Sequence, residues 1–188
     1  LINKGHLPKR AGFKMAGNCP PQEAIAAAWL HDTVEDCPPT SFQEITGIFG
    51  SNVSDIVREL TDDKSLPKQR RKDLQIFNAP QKTPMAALVK LADKSSNVLA
   101  IAKSPPSGWS LQRRLDYIEW AKTVVRHLPQ LLTSALKEFE NRCDIAELQS
   151  YIDLGSVRQA QNASLRIMGR KALRAGASQK EADKFLLR

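Results

Sequence analysis

Cysteine is scarce in this 188-residue chain, which has only Cys19, Cys37 and Cys143. An odd count without metal-like spacing argues against a disulfide framework and against a cysteine-held zinc site. No apolar run approaches the length of a membrane span, and no signal-peptide pattern opens the chain. A cytoplasmic protein with no membrane partner is therefore expected. Segments of strict apolar/polar alternation are missing too, so the chain reads as all-α. Met85 to Val89 could pass for a short buried strand, but the Ala content and length of its surroundings favour helix. Histidine occurs three times, as His6, His31 and His127. The chain starts at Leu1 rather than Met, so the native N-terminus is expected to lie upstream.

Positive charge is plentiful, with a formal net charge of +8. It points to an anionic partner, either a phosphorylated small molecule or nucleic acid. A hydrophobic content of 41% and a charged content of 26% are those of an ordinary globular protein. The length suits one domain with an extension, or two small domains.

Six Gly and Pro residues punctuate residues 1–22, where only Lys9 to Met15 reads as a short helix. Pro20-Pro21 then introduces a helix expected over about Gln22 to Val34. Thr40 or Ser41 caps a helix that Gly50 ends, and Ser51 starts another, with Val53, Ile56, Val57 and Leu60 facing inward. Asp62 to Lys72 reads as a charged loop leading into a helix to about Asn78. Thr83-Pro84 launches a helix over Met85 to Ala102. Ser110 caps a long amphipathic helix from Leu111 past Pro129 to Leu136, on which His127 is a structural or surface residue. From about Asp144 the chain turns basic, with helical pieces around 157–175 and 180–187.

The Ala-rich run ends in Ala28-Trp29-Leu30-His31-Asp32-Thr33-Val34-Glu35-Asp36. On a continuing helix, His31 would share a face with Glu35, and Asp32 with Asp36. Four such groups beside an apolar run are costly without a compensating cation or ligand; the competing reading is a solvated helix end. Asp93 lies in a second apolar helical stretch, with Asn97 one turn further along the same face. A lone acid there is ordinarily salt-bridged and structural.

These segments together are similar to the RelA/SpoT superfamily of alarmone (ppGpp) hydrolases. Ala27 to Asp36 resembles the family's hydrolase signature. Leu60-Thr61-Asp62-Asp63-Lys64-Ser65-Leu66-Pro67-Lys68, Val89 to Lys94 with Asn97, and Gly108-Trp109-Ser110 with Arg113, Tyr117 and Trp120 resemble its small single-domain members. The resemblance covers roughly residues 24–128. It implies an HD-domain helical bundle over residues 1–143 with a basic helical C-terminal extension over residues 144–188. It further implies that His31, Asp32 and Asp93 ligate one divalent ion, Mn²⁺, and that Glu35 and Asp36 orient and deprotonate the attacking water. Asn97 would support substrate or Asp93, and Lys68, Arg113 and Tyr117 would hold the nucleotide. The family adds a histidine ligand upstream. Ungapped counting puts Lys4 in its place, and His6, two residues on, is the candidate substitute.

The implied reaction is hydrolysis of the 3′-diphosphate of ppGpp or pppGpp to GDP or GTP and pyrophosphate, without a synthetase domain. Two alternatives are another phosphorylated nucleotide such as NADPH, and a non-catalytic nucleotide-binding regulator with a degenerate metal site. For the basic tail, self-association is open, and nucleic-acid binding is the weaker reading.

Overall fold

The computed structural model describes residues 22–129 and 133–185. His6, Lys4, the expected Lys9 to Met15 helix and Leu132 lie outside them. Among the described residues every regular element is helical. No helix among them is long and apolar enough to cross a membrane.

The described chain forms α1 (Gln22–Leu30), α2 (Thr33–Asp36), α3 (Phe42–Phe49), α4 (Ser51–Leu60) and α5 (Lys68–Asn78). A short 3₁₀ turn (Ala79–Gln81) precedes α6 (Pro84–Lys103), α7 (Leu111–Arg126), α8 (Thr133–Leu154), α9 (Val157–Arg174) and α10 (Gln179–Asp183). It divides into two compact units. The first takes residues up to Asn97 together with Trp120–Glu140, and the second takes Val98–Glu119 and Asn141 onward. The unit boundaries therefore fall inside α6, α7 and α8, and position 143/144 also lies within the continuous helix α8.

In the first unit, α4 packs against both α1 and α3. Ala24, Ala27 and Ala28 of α1 meet Ile45 of α3 and Val53, Ile56, Val57 and Leu60 of α4, joined by Ala86 and Val89 of α6. Alanine on α1 serves two ends, since it favours helix and keeps the neighbouring backbones close. The caps are those the sequence announces. The Glu44 N–H donates to Ser41 Oγ at 3.2 Å, and Gly50 takes φ +85° between α3 and α4, a conformation costly for any residue with a Cβ. Thr83 accepts from the Ala86 N–H at 3.4 Å, with Pro84 in the first turn of α6.

Two expected elements are divided. The helix projected over Gln22 to Val34 stops at Leu30, because side chains take its last carbonyls. Thr33 Oγ1 donates to the Leu30 carbonyl at 2.6 Å, and the His31 ring bonds the Ala28 carbonyl. His31 and Asp32 thus form a turn rather than sharing helical faces with Glu35 and Asp36. The long helix from Leu111 also ends early, at Arg126, shortly before Pro129, whose ring cannot continue it.

In the second unit, Asp144 of α8 is fully buried and meets Arg170 and Arg174 of α9, each at 2.9 Å. Glu147 adds a 2.8 Å contact to Arg170. Capping boxes at Ser156 and Ser178 start α9 and α10. A Cβ on Gly169 would come within 3.3 Å of the Ala182 carbonyl, so glycine lets α9 and α10 approach.

Ile45→Ala should destabilise the first unit by about 2–5 kcal/mol in urea unfolding, since its side chain is fully enclosed. Ser41→Ala should cost only about 1 kcal/mol, as expected for a lost N-cap.

Candidate active site

The break after α1 sets the orientation of His31, which is 4% exposed. Nδ1 lies 3.0 Å from the Ala28 carbonyl, an acceptor only, so this nitrogen carries the proton and donates. The other nitrogen, Nε2, then faces two carboxylates: Asp32 Oδ1 at 3.0 Å and Asp93 Oδ1 at 3.6 Å. Asp93 is carried by α6, where Asn97 Nδ2, one turn on, donates to Asp93 Oδ1 at 2.9 Å. Lys94 Nζ lies 3.3 Å from Asp93 Oδ2 and 4.3 Å above the Trp120 ring. Lys72 approaches the same ring at 4.8 Å, and Trp120 Nε1 donates to the Lys72 carbonyl.

The acids after the turn are held separately. Glu35 Oε1 accepts from the Asp62 backbone N–H at 2.6 Å. Lys64 Nζ lies 3.6 Å from Glu35 Oε2 and donates to Asp36 Oδ1 at 2.8 Å. The Leu60–Lys68 stretch thereby folds back on the turn, and Lys68 follows, exposed in the first turn of α5.

The electrostatics follow from this crowding. Burial disfavours the Asp93 charge, but Lys94, the His31 bond and Lys90 outweigh it and hold the carboxyl well below its usual range. Burial likewise works against an imidazolium at His31, yet Asp32 and Asp93 push its pKa up to about 9. Glu35 goes the other way: burial raises its proton affinity, only partly offset by the Asp62 N–H. Burial lowers the Lys94 pKa, with Asp93 opposing.

Arg113 and Tyr117 sit in the second unit, on α7. The Arg113 guanidinium lies 4.5 Å above the Trp109 ring, whose centroid is 5.7 Å from that of Tyr117. His127 is exposed, with Nδ1 at 2.8 Å from the Thr123 carbonyl, a local bond of the surface kind expected. The structure therefore brings together His31, Asp32, Asp93 and Asn97, and joins Glu35 and Asp36 through Lys64. Lys64, Lys94 and the Asp62 backbone had no role in the sequence reading. Their one visible signal is charge within otherwise apolar or turn-forming stretches.

Residues 15–118 match the HD domain family. The chain belongs to that family. It is 50% identical over 106 residues to the zebrafish (Danio rerio) guanosine-3′,5′-bis(diphosphate) 3′-pyrophosphohydrolase MESH1, covering 56% of this chain and 58% of that protein. The mouse (Mus musculus) protein of the same name is 48% identical over 122 residues, covering 63% of this chain and 68% of that one. Among solved structures, one described as a metazoan ortholog of SpoT that hydrolyzes ppGpp superposes with a TM-score of 0.62 at 41% identity. It covers 65% of this chain and 68% of its own. A Listeria monocytogenes protein, lmo0812, shares the fold at TM-score 0.61 and 23% identity, over 75% of this chain and 97% of its own. The chain thus spans little more than half the length of the zebrafish relative it matches.

Membership of the HD domain family implies a divalent metal. The donor chemistry here fits one: an imidazole nitrogen and two acceptor-only carboxylates converge, with the second imidazole nitrogen fixed by a carbonyl. Neighbouring ligands about 2.1 Å from an ion lie about 3 Å apart, close to the His31–Asp32 spacing. Among the described residues, no three His, Cys, Asp or Glu side chains are already closed around an ion position. The His31–Asp93 pair is the wider of the two, and His6 lies outside the described residues.

In metal-free protein the raised His31 pKa favours the folded state fully below pH 6.5, an advantage lost as pH rises through about 9. A metal must displace that proton, so its affinity should climb from pH 7 to about 9. An NMR titration of chelator-treated protein should place the His31 midpoint near 9. A midpoint at or below 6.5 would contradict the geometry.

Proposed function

We propose that this chain is a Mn²⁺-dependent, cytoplasmic hydrolase of guanosine alarmones, converting ppGpp or pppGpp and water to GDP or GTP and pyrophosphate. The observation that carries it is the convergence of His31, Asp32 and Asp93, with Glu35 held one turn further on. The relatives' names and the four family motifs support the substrate. In this reading residues 1–143 form the phosphohydrolase domain, 144–188 an extension, and His6 is the fourth ligand.

A divalent ion held by His31, Asp32 and Asp93 supplies positive charge for the phosphoryl oxygens and acidity for a water. The chain's own groups do the rest. Asn97 fixes the Asp93 carboxylate by its 2.9 Å bond. Glu35 takes the proton of the attacking water; its burial makes it a stronger base than an exposed glutamate. Asp36 holds Lys64, which also faces Glu35. Arg113 and Lys68 hold phosphates, the first as a planar fork and the second as a point charge, and Tyr117 meets the sugar or base.

Pyrophosphate release from ppGpp, measured with and without Mn²⁺ and a strong chelator, tests the reading. His31→Ala and Asp93→Ala should abolish it, and Glu35→Gln should lower kcat by about 10²–10⁴-fold. Full activity in either alanine variant, or in the chelator, overturns it. Because the base must be ionised and its pKa is raised, kcat/KM should begin to fall at a higher pH than an ordinary glutamate would give. A parallel assay on NADPH sets the substrate class, and a faster rate there would displace the alarmone.

A further inference from the structure

The loop between α4 and α5 makes two contacts with one carboxylate. At its start the Asp62 N–H donates to Glu35 Oε1 at 2.6 Å, and two residues on, Lys64 Nζ lies 3.6 Å from Glu35 Oε2. The loop's own side chains fix its shape. Asp63 Oδ1 accepts from the Ser65 N–H at 2.9 Å and from the Ser65 hydroxyl at 2.7 Å, and the Leu66 N–H donates back to the Asp63 carbonyl. The Asp62 carboxylate is tied to α5 through Gln75 Nε2. A turn closed at Asp63 therefore delivers a backbone donor and an ammonium to the same side chain.

The two contacts are unequal. The first is a full hydrogen bond, whereas the second lies beyond the roughly 2.7–3.2 Å of one. Asp36 accounts for the difference, because its Oδ1 accepts from Lys64 Nζ at 2.8 Å and holds the ammonium off its neighbour. Glu35 Oε2 thus feels a positive charge without giving it a lone pair. The other groups around Glu35 pull both ways. Burial raises its proton affinity, the Asp62 N–H opposes that, and the Asp62 carboxylate from the loop and Asp32 from the turn raise it again. Lys64 is the cation set against them. A base that is already protonated cannot accept a proton, and neither can one whose free oxygen is taken by a donor. A cation held at 3.6 Å avoids both failures.

We propose that Lys64 is a positioning residue for Glu35: held by Asp36 at ion-pair rather than hydrogen-bond distance, it keeps the carboxylate ionised and leaves Oε2 free to accept the proton of the attacking water. The proton transfer rests on the hydrolase reading, whereas the charge relation among the three side chains does not.

The test compares Lys64→Met, Lys64→Arg and Asp36→Asn with the parent chain by two readouts. One is the acid limb of kcat/KM for ppGpp. The other is an NMR titration of the Glu35 carboxylate in the chelator-treated full chain, assigned by the signal that Glu35→Gln removes. Lys64→Met takes away the cation, so the limb and the NMR midpoint should both move to higher pH. Lys64→Arg keeps the charge and should stay with the parent. Asp36→Asn frees the ammonium to close on Oε2, so the midpoint should move to lower pH while kcat falls by at least about tenfold. The Lys64 side chain is half-exposed, so its removal leaves the core packing in place. An unmoved midpoint in Lys64→Met, or one that fails to drop in Asp36→Asn, overturns the proposal. So does a raised KM with an unmoved limb in Lys64→Met, which would make Lys64 a phosphate contact instead. Absence of ppGpp turnover by the parent chain would refute the hydrolase reading alone, since the NMR midpoints still decide what Lys64 does to Glu35.

Discussion

A carboxylate inside an apolar helix is the constraint on which the first unit depends. Asp93 sits between buried residues of α6, and ionising it there costs several kcal/mol unless neighbours compensate. The compensation comes from three directions: Lys94 on one oxygen, and Asn97 and the His31 ring on the other. Lys94 is itself buried and has to be held, which the face of Trp120 does at 4.3 Å. The indole in turn is anchored through its N–H on the Lys72 carbonyl. One acid thus dictates the identity of its neighbour, the aromatic on α7 and the orientation of the ring at the end of α1.

That ring could not take its place on an unbroken helix. An uninterrupted α1 would carry His31 to Glu35 along one face and commit both to the same stripe. The turn instead sends the imidazole toward α6 and starts a separate helix for Glu35 and Asp36. What stops α1 is local. Thr33 and His31 supply side-chain bonds to the carbonyls that a further turn would have used. The tautomer that leaves Nε2 toward the carboxylates is a consequence of the same termination.

Much of this frame was legible because it is written in local chemistry. Ser41, Gly50 and the Thr83-Pro84 pair mark helix ends through their own backbone preferences, and the structure ends its helices there. His31, Asp32, Asp93 and Asn97 were visible as polar residues at odds with apolar surroundings, and they do meet. The break after Leu30 was hidden because alanine's helix propensity and the side-chain capture of carbonyls compete, and the sequence states only the first. The reach of Lys64 to Glu35 and Asp36, across the 28 positions between 36 and 64, is a matter of tertiary packing. So is the burial of Asp144, which in the sequence looks like the start of a basic tail; Arg170 and Arg174, the residues that neutralise it, lie on the next helix.

Burial also divides labour between two adjacent acids that the sequence presents as equivalent. The Glu35 side chain is 12% exposed and that of Asp36 is 43% exposed. Removal from water raises the proton affinity of Glu35, while the Asp62 N–H fixes one of its oxygens and leaves the other facing Lys64. Asp36, in contact with solvent, forms the shorter bond to Lys64, an exposed pair of the kind that adds little stability. Its effect is one of placement, because it holds a cation 3.6 Å from its buried neighbour. A proton acceptor needs both an elevated affinity and a fixed lone pair, and Glu35 has the two together. Asp36 shares a lysine with Glu35, and that contact ties the Asp62–Pro67 loop to the turn that His31 and Asp32 form.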